Sequence, residues 1–191
     1  MAAAGEGGHT VALDGRPLGT PAKAAFVVPT LALAEAIAAE WQDQGEVIEP
    51  ETLRLTRLAN TAIDRVRVVR DAVIDETLGF GGSDLLCYRA EAPPELVQRQ
   101  NAAWEPLLAW LAASHGVALR VTAGVVPLEQ SEAALSGLRA ALEAMDDMML
   151  TAVHGATAAC GSLVIALALA EGRISALDAF RLSRIDELFQ A

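Results

Sequence analysis

Residues 55–66, LTRLANTAIDRV, place apolar side chains at Leu55, Leu58, Ala59, Ala62, Ile63 and Val66. That is the i, i+3, i+4, i+7 spacing of one helical face. The other face holds Arg57, Asn60, Thr61 and Asp64. Asn and Thr are poor helix formers, because they compete for backbone hydrogen bonds or lose rotamers. A purely solvated face is made more easily from Glu and Lys. The face therefore predicts polar partners, most often within the fold, and marks Arg57, Asn60 and Asp64 as candidate partner-binding residues.

Before this helix the pattern is that of a small β region. Residues 1–8 are small and Gly-rich, an expectation of disorder. Val11-Ala12-Leu13 and Arg16-Pro17-Leu18 flank Asp14-Gly15, which supplies the positive φ angles of a tight hairpin. Phe26-Val27-Val28 adds a third extended piece. Thr30 is a candidate N-cap for a helix that runs through Gln44 and stops at Gly45. Its inward face holds Leu33, Ala34, Ile37 and Trp41, with Glu35 and Glu40 off it. Glu49-Pro50 marks a turn and the expected boundary between a domain over 1–50 and a helical domain over 51–191. The expected fold class is α+β, a small N-terminal β-rich domain followed by a larger all-helical one.

Beyond the boundary the period is helical. Val69, Val73 and Ile74 continue a helix, which the glycines of Gly79-Phe80-Gly81-Gly82 are expected to break, leaving Ser83 to cap the next turn. Pro93-Pro94 open a long helix closed by Gly116, with Leu96, Gln100, Trp104, Leu107, Leu108 and Leu111 inward. Residues 117–126 read as a strand or an extended connector. Helices follow from Ser131, from Asp146-Asp147 and from Ser175, whose spacing to Asp178 fits a capping box. In the last turns Ile185, Leu188 and Phe189 take the inward or partly inward side and Glu187 the outward one.

Residues 148–170 contain no Asp, Glu, Lys or Arg. A membrane span needs about 20 apolar residues, so length alone permits one. Thr151, His154, Thr157 and Ser162 lie in the run, Gly155 and Gly161 interrupt it, and no aromatic belt flanks it. Two consecutive buried helices, broken near Gly161-Ser162 and closed by Gly172, fit better. No membrane insertion is expected.

Composition narrows the function. The chain has 191 residues, 53% hydrophobic, with 25 acids against 14 bases and a net charge of −11. A core is affordable without metals or disulfides. The bases are scattered, which argues against nucleic acid. Cys87 and Cys160 form no metal-spacing motif and no disulfide framework, so a reducing compartment is the default. His9, His115 and His154 lie far apart. The glycine cluster lacks the Lys-Ser/Thr of a phosphate loop. His154 and Cys160, six apart on a helix, point to nearly opposite faces at about 100° per residue. Asp146-Asp147 suits a helix N-terminus better than a catalytic pair. No catalytic residue, metal or cofactor is expected, nor a secretory or transit peptide in MAAAGEGGHT.

The motifs carry a resemblance. LTRLANTAIDRV, LDGRPLGTP at 13–21, Glu40-Trp41 with Gln44, DLLCYRA at 84–90, and Gln100, Trp104, Glu105-Pro106-Leu107-Leu108 with Trp110 occur in this order. Together they resemble the ATP-twelve family, assembly chaperones for the α subunit of the F-type ATP synthase. The similarity runs from about Val11 to Gln190. It implies a non-enzymatic, monomeric chaperone that binds the free α subunit and shields the surface destined for the β subunit. The implied compartment is cytoplasmic for a bacterial chain and the mitochondrial matrix for eukaryotic members. The family's DExFQ pattern matches Asp186-Glu187-Leu188-Phe189-Gln190, which singles out Glu187 and, beside it, Asp186 as partner-binding residues. Departures are Gly19 where the family often has Lys, Leu53-Arg54 for its usual Met-Pro, and the absence of its aromatic and basic lead-in and of its terminal Trp-Gly segment. The rival readings are a small-molecule enzyme using carboxylates in an interdomain cleft and a peripheral membrane protein using the uncharged run.

Overall fold

The computed structural model describes residues 1–5 and 7–190. The chain forms an α+β fold, mostly helical with a few short strands. It divides into two compact units, one of Met1–Arg70 with Asp146–Thr151, the other of Asp71–Met145 with Ala152–Ala191. The boundary expected at Pro50 falls inside the first unit.

The first unit begins with a three-stranded antiparallel sheet, β1 (Ala2–Gly5), β2 (Gly8–Leu13) and β3 (Arg16–Pro17), in the order β1-β2-β3. Ala2 pairs with Val11 and Leu13 with Arg16. The expected disorder at the N-terminus is thus corrected: residues 2–5 gain backbone partners along β2, which offsets their low apolar content. The expected turn forms at Asp14 and Gly15, both at positive φ. Residues 25–28 join the sheet only through isolated bridges, His9 with Val28 and Gly19 with Ala25.

Helix α1 (Leu31–Gln42) is capped by Thr30, whose hydroxyl accepts from the Leu33 amide at 3.2 Å. It buries Ala34, Ile37 and Ala38. After a 3-10 turn at Pro50–Thr52 comes α2 (Arg54–Thr61), continued by a π-helical segment, Ala62–Val66. Ala59, Ala62 and Ile63 share one core with Val11, Phe26 and Ile37. Burying side chains the size of Phe or Ile contributes about 1.5–3 kcal/mol each, so the signature helix belongs energetically with the sheet and α1. Polar contacts reinforce this. The Glu40 carboxylate accepts from the Leu55 amide at 2.6 Å, the Thr56 amide at 2.9 Å and the Thr56 hydroxyl at 2.9 Å. It satisfies amides that the first turn of α2 cannot pair internally. Glu40 lies off the apolar face of α1, as expected, but the structure gives it this anchoring task.

The second unit is helical. Its elements are α3 (Arg70–Gly82), a 3-10 turn at Leu85–Cys87, β4 (Tyr88–Arg89), α4 (Pro94–His115), β5 (Thr122–Ala123), α5 (Glu132–Glu143), α6 (Asp147–Cys160), α7 (Leu163–Ala170), α8 (Ala176–Ser183) and α9 (Ile185–Gln190). Arg70 of α3 and the first turn of α6 belong to the first unit. Helix α3 runs through Gly79 and Gly81 instead of breaking there, and ends at the last of these glycines, Gly82. A Cβ on Gly81 would lie 2.6 Å from a Leu138 methyl, so that glycine serves close packing. The next cap is Asp84, not Ser83. Residues 117–126 are mostly extended connector; only Thr122–Ala123 pairs, parallel to β4.

The uncharged run folds as two helices. Helix α6 ends at Cys160, Gly161 adopts φ +66, Ser162 caps α7, and Gly172 follows at φ +68. Leu163 to Ala168 are all buried. Among the described residues no helix is long and apolar enough to cross a membrane.

Candidate partner-binding site

The site residues of the C-terminal segment are held by α4. Its buried stripe is Leu96, Gln100, Trp104, Leu107, Leu108 and Leu111, as the spacing predicts. Gln100 is the polar member and only 1% exposed. Its Oε1 accepts from the Ala90 amide at 2.7 Å, and its Nε2 donates to Asp186 Oδ1 at 2.7 Å. Arg89 donates to the Gln100 carbonyl at 3.0 Å and to Glu105 at 3.2 Å, and lies 5.1 Å from the centre of the Trp104 ring. Trp104 Nε1 donates to the Leu182 carbonyl at 3.0 Å. Two polar groups on the inward stripe of α4 therefore fix the end of α8 and the start of α9.

Asp186 and Glu187 border a cleft of about 330 Å³ lined also by Trp104, Cys160, Gly161 and Ser183. Asp186 is half-buried and already bound, so it is not the freely solvated acid an exposed terminal turn would give. Glu187 has a side chain 61% exposed and accepts from Arg184 at 3.1 Å. Its own backbone N–H, then Arg184, hold its carboxyl below the usual carboxylate range. It is therefore charged at neutral pH. Of the residues expected inward or partly inward, Ile185 is buried and Leu188 is 43% exposed.

The second group of sequence candidates lies in the first unit. Asn60 and Asp64 line a cleft of about 540 Å³ with Pro21, Ala22, Thr61 and Arg65. Asp64 Oδ2 accepts from the Ala22 amide at 3.0 Å. This is an internal partner of the kind the polar face predicted. Arg57 does not line this cleft; it pairs with the exposed Glu51 at 3.0 Å. Such an exposed pair contributes about 0–1 kcal/mol.

Nucleophilic chemistry finds little support. Burial first, then the neighbouring Asp84, push the Cys87 thiol up to about 12. Burial also raises Cys160. A thiol so shifted is protonated at neutral pH and a weak nucleophile. His154 Nδ1 is engaged at 3.1 Å with the Thr77 hydroxyl. Both cysteines are free. Among the described residues no three His, Cys, Asp or Glu side chains converge on a metal position.

One buried acid matters for the scaffold. Asp84 Oδ1 accepts from the Ser162 hydroxyl at 2.7 Å and the Leu86 amide at 3.0 Å, and Oδ2 accepts from the Val164 amide at 3.0 Å. Burial raises its pKa from an ordinary 3.8 to about 6, against the pull of these donors. Asp84 thus ties the DLLCYRA turn to the start of α7. Sequence reasoning missed its task and that of Glu40. A polar residue at an inward position, as at Gln100, was the available signal; pairing over long sequence separation was not.

The helical second unit thus presents a charged terminal segment beside a cleft. The profile of the family described as ATP12 chaperone protein matches residues 1–112. The structure of Atp12 from Paracoccus denitrificans is similar at 48% identity and a TM-score of 0.95, spanning 100% of this chain and 82% of that one. A mutant of the same Paracoccus protein gives 47% and 0.96 over the same shares. The Atu1473 protein of Agrobacterium tumefaciens gives 40% and 0.94, spanning 100% of this chain and 72% of that one. The chain belongs to the ATP12 chaperone family.

Proposed function

We propose that this protein is an ATP synthase assembly chaperone that binds the free α subunit of the F-type enzyme. It covers the surface that later meets the β subunit, and yields it when β competes. Membership of the ATP12 chaperone family and the DExFQ-like terminus support this reading. The observation that carries it is the Asp186–Glu187 edge. Asp186 is fastened to the α4 scaffold through Gln100, while Glu187 stands exposed and charged beside a cleft. A chaperone needs such a preorganised but shallow surface, because a partner bound too deeply would not be released. The cleft of Asn60 and Asp64 is a secondary candidate surface on the first unit, and the exposed Arg57 a separate candidate. The protein works as a monomer without cofactor or catalysis, in the compartment where the synthase head assembles, the bacterial cytoplasm or the mitochondrial matrix.

The test is capture of purified α subunit by the immobilised protein, with purified β added as competitor. Retention of α and its release by β are the expected results. Failure to retain α, or retention of β equal to that of α, refutes the proposal.

A further inference from the structure

Helix α8 carries an outward stripe. Leu177, Phe180 and Arg181 follow one another at i, i+3 and i+4, while Ala179 and Ser183 are buried. Leu177 is 56% and Phe180 57% exposed. On α9, Leu188 adds a third exposed apolar side chain. Scattered single apolar residues on a surface are ordinary; a cluster rimmed by polar groups marks an interaction site.

Beside this stripe lies a groove of about 500 Å³ lined by Ala103, Ile174, Leu182, Ile185 and Leu188 together with Arg99 and Arg181. The remaining polar residue is Asp178, whose carboxylate accepts from the Ser175 hydroxyl at 2.6 Å and the Ser175 amide at 3.2 Å in the capping box. It lies near enough to Arg181 to feel its charge. Among the described residues Arg57, Arg67, Arg70, Arg89, Arg139 and Arg184 are in ion pairs. Arg99 and Arg181 are not, a state they share with Arg16, Arg54, Arg65, Arg120 and Arg173, but they are the two that line this apolar groove. In a chain of net charge −11, two guanidinium groups without carboxylate partners beside an apolar groove call for a partner that brings its own acids. Ile185 lines both this groove and the cleft at Asp186 and Glu187. The groove is therefore continuous with the candidate site and extends it.

We infer that this groove docks an apolar segment of the α subunit flanked by acidic side chains, the apolar residues entering against Leu182, Ile185 and Leu188 and the carboxylates meeting Arg99 and Arg181. This rests on the reading that α is the partner. The complete surface is then bipolar, acidic on the Glu187 side and basic on the other, with Ile185 between. Such a pattern fixes the orientation of a bound segment, because the reversed one would set like charges against each other.

The experiment measures the affinity of purified α subunit for the wild type, for Arg99→Glu/Arg181→Glu and for Leu188→Asp, with melting temperatures alongside. The charge-reversed protein is expected to bind at least tenfold more weakly and Leu188→Asp to lose binding comparably, both melting within a few degrees of wild type. If wild type binds α and both variants bind it equally well, the groove is overturned while α remains the partner. If wild type itself does not bind α, both readings fall. Should the charge-reversed protein misfold, Arg99→Gln/Arg181→Gln replaces it; its binding must then weaken and lose much of its salt dependence, and unchanged binding overturns the groove.

Discussion

Asp84 offers a test with a definite sign. Its carboxylate is buried and accepts three hydrogen bonds, two on Oδ1 and one, from the Val164 amide, on Oδ2. Asp84→Asn can keep its carbonyl at the Oδ1 position, but its NH₂ then faces the Val164 N–H. That amide in the first turn of α7 loses its acceptor, which costs about 1–3 kcal/mol for a buried donor. The pH dependence adds a second measurement. A folded pKa of about 6 against an ordinary 3.8 means that the folded state takes up the proton more readily. The contribution of this group to stability is therefore full below 3.8 and lost as pH rises through 6. At about 1.4 kcal/mol per pH unit the whole difference is about 3 kcal/mol, of which about 2 kcal/mol is recovered on going from pH 7 to pH 4. Asp84→Asn cannot recover it. Urea unfolding followed by circular dichroism at pH 7, 5.5 and 4 should show wild type ahead by about 1–3 kcal/mol at pH 4, where both side chains are neutral. The ionised wild type gives up about 2 kcal/mol of this lead at pH 7, so the gap should widen by about 2 kcal/mol on going from pH 7 to pH 4, since all other titrating groups are common to both proteins and cancel. A gap that stays constant refutes the claim that burial dominates at Asp84. A gap that narrows shows that the three donors outweigh it.

Other outcomes are equally direct. Glu187→Lys should shift stability by under about 0.5 kcal/mol, as an exposed charge change does, while capture of α falls; normal capture removes Glu187 from the site. Glu40→Ala strips the acceptors from the Leu55 and Thr56 amides and should cost about 1–3 kcal/mol in chemical denaturation; an unchanged midpoint means that water satisfies them equally well. Gly81→Ala puts a methyl 2.6 Å from the end of Leu138 and should cost about 1–3 kcal/mol by overpacking; a stabilised protein would show that Leu138 moves aside and that helix propensity wins. Gln100→Met keeps the volume but leaves Asp186 without its donor and the Ala90 amide without its acceptor. It should loosen α9, seen as faster amide exchange over residues 185–190, and unchanged exchange there means that packing alone holds the segment.

The apolar periodicity of the chain determined most of the elements. The stripe of α4, the Thr30 and Ser175 caps, the Asp14-Gly15 turn and the division of the uncharged run at Gly161 all follow from spacing of about 3.6 or 2 and from residues suited to caps and turns. These are local properties, set within one or two helical turns. The family was legible for another reason: several motifs in fixed order are specific even when each is short. What the tertiary structure decided is what lies opposite each residue. The glycines of Gly79–Gly82 read as a helix stop, and α3 does end at the last of them, but it runs through the first two, and Gly81 is glycine because Leu138 packs where its Cβ would be. Glu40 and Asp84 look like surface acids in sequence, yet each supplies acceptors to the start of a helix far along the chain. Asp186 and Glu187 are adjacent and chemically alike; one is fastened to Gln100 and the other left exposed, because only one of them faces α4. A carboxylate's task depends on which unpaired amides the fold brings to it, and that pairing is fixed only when distant helices pack.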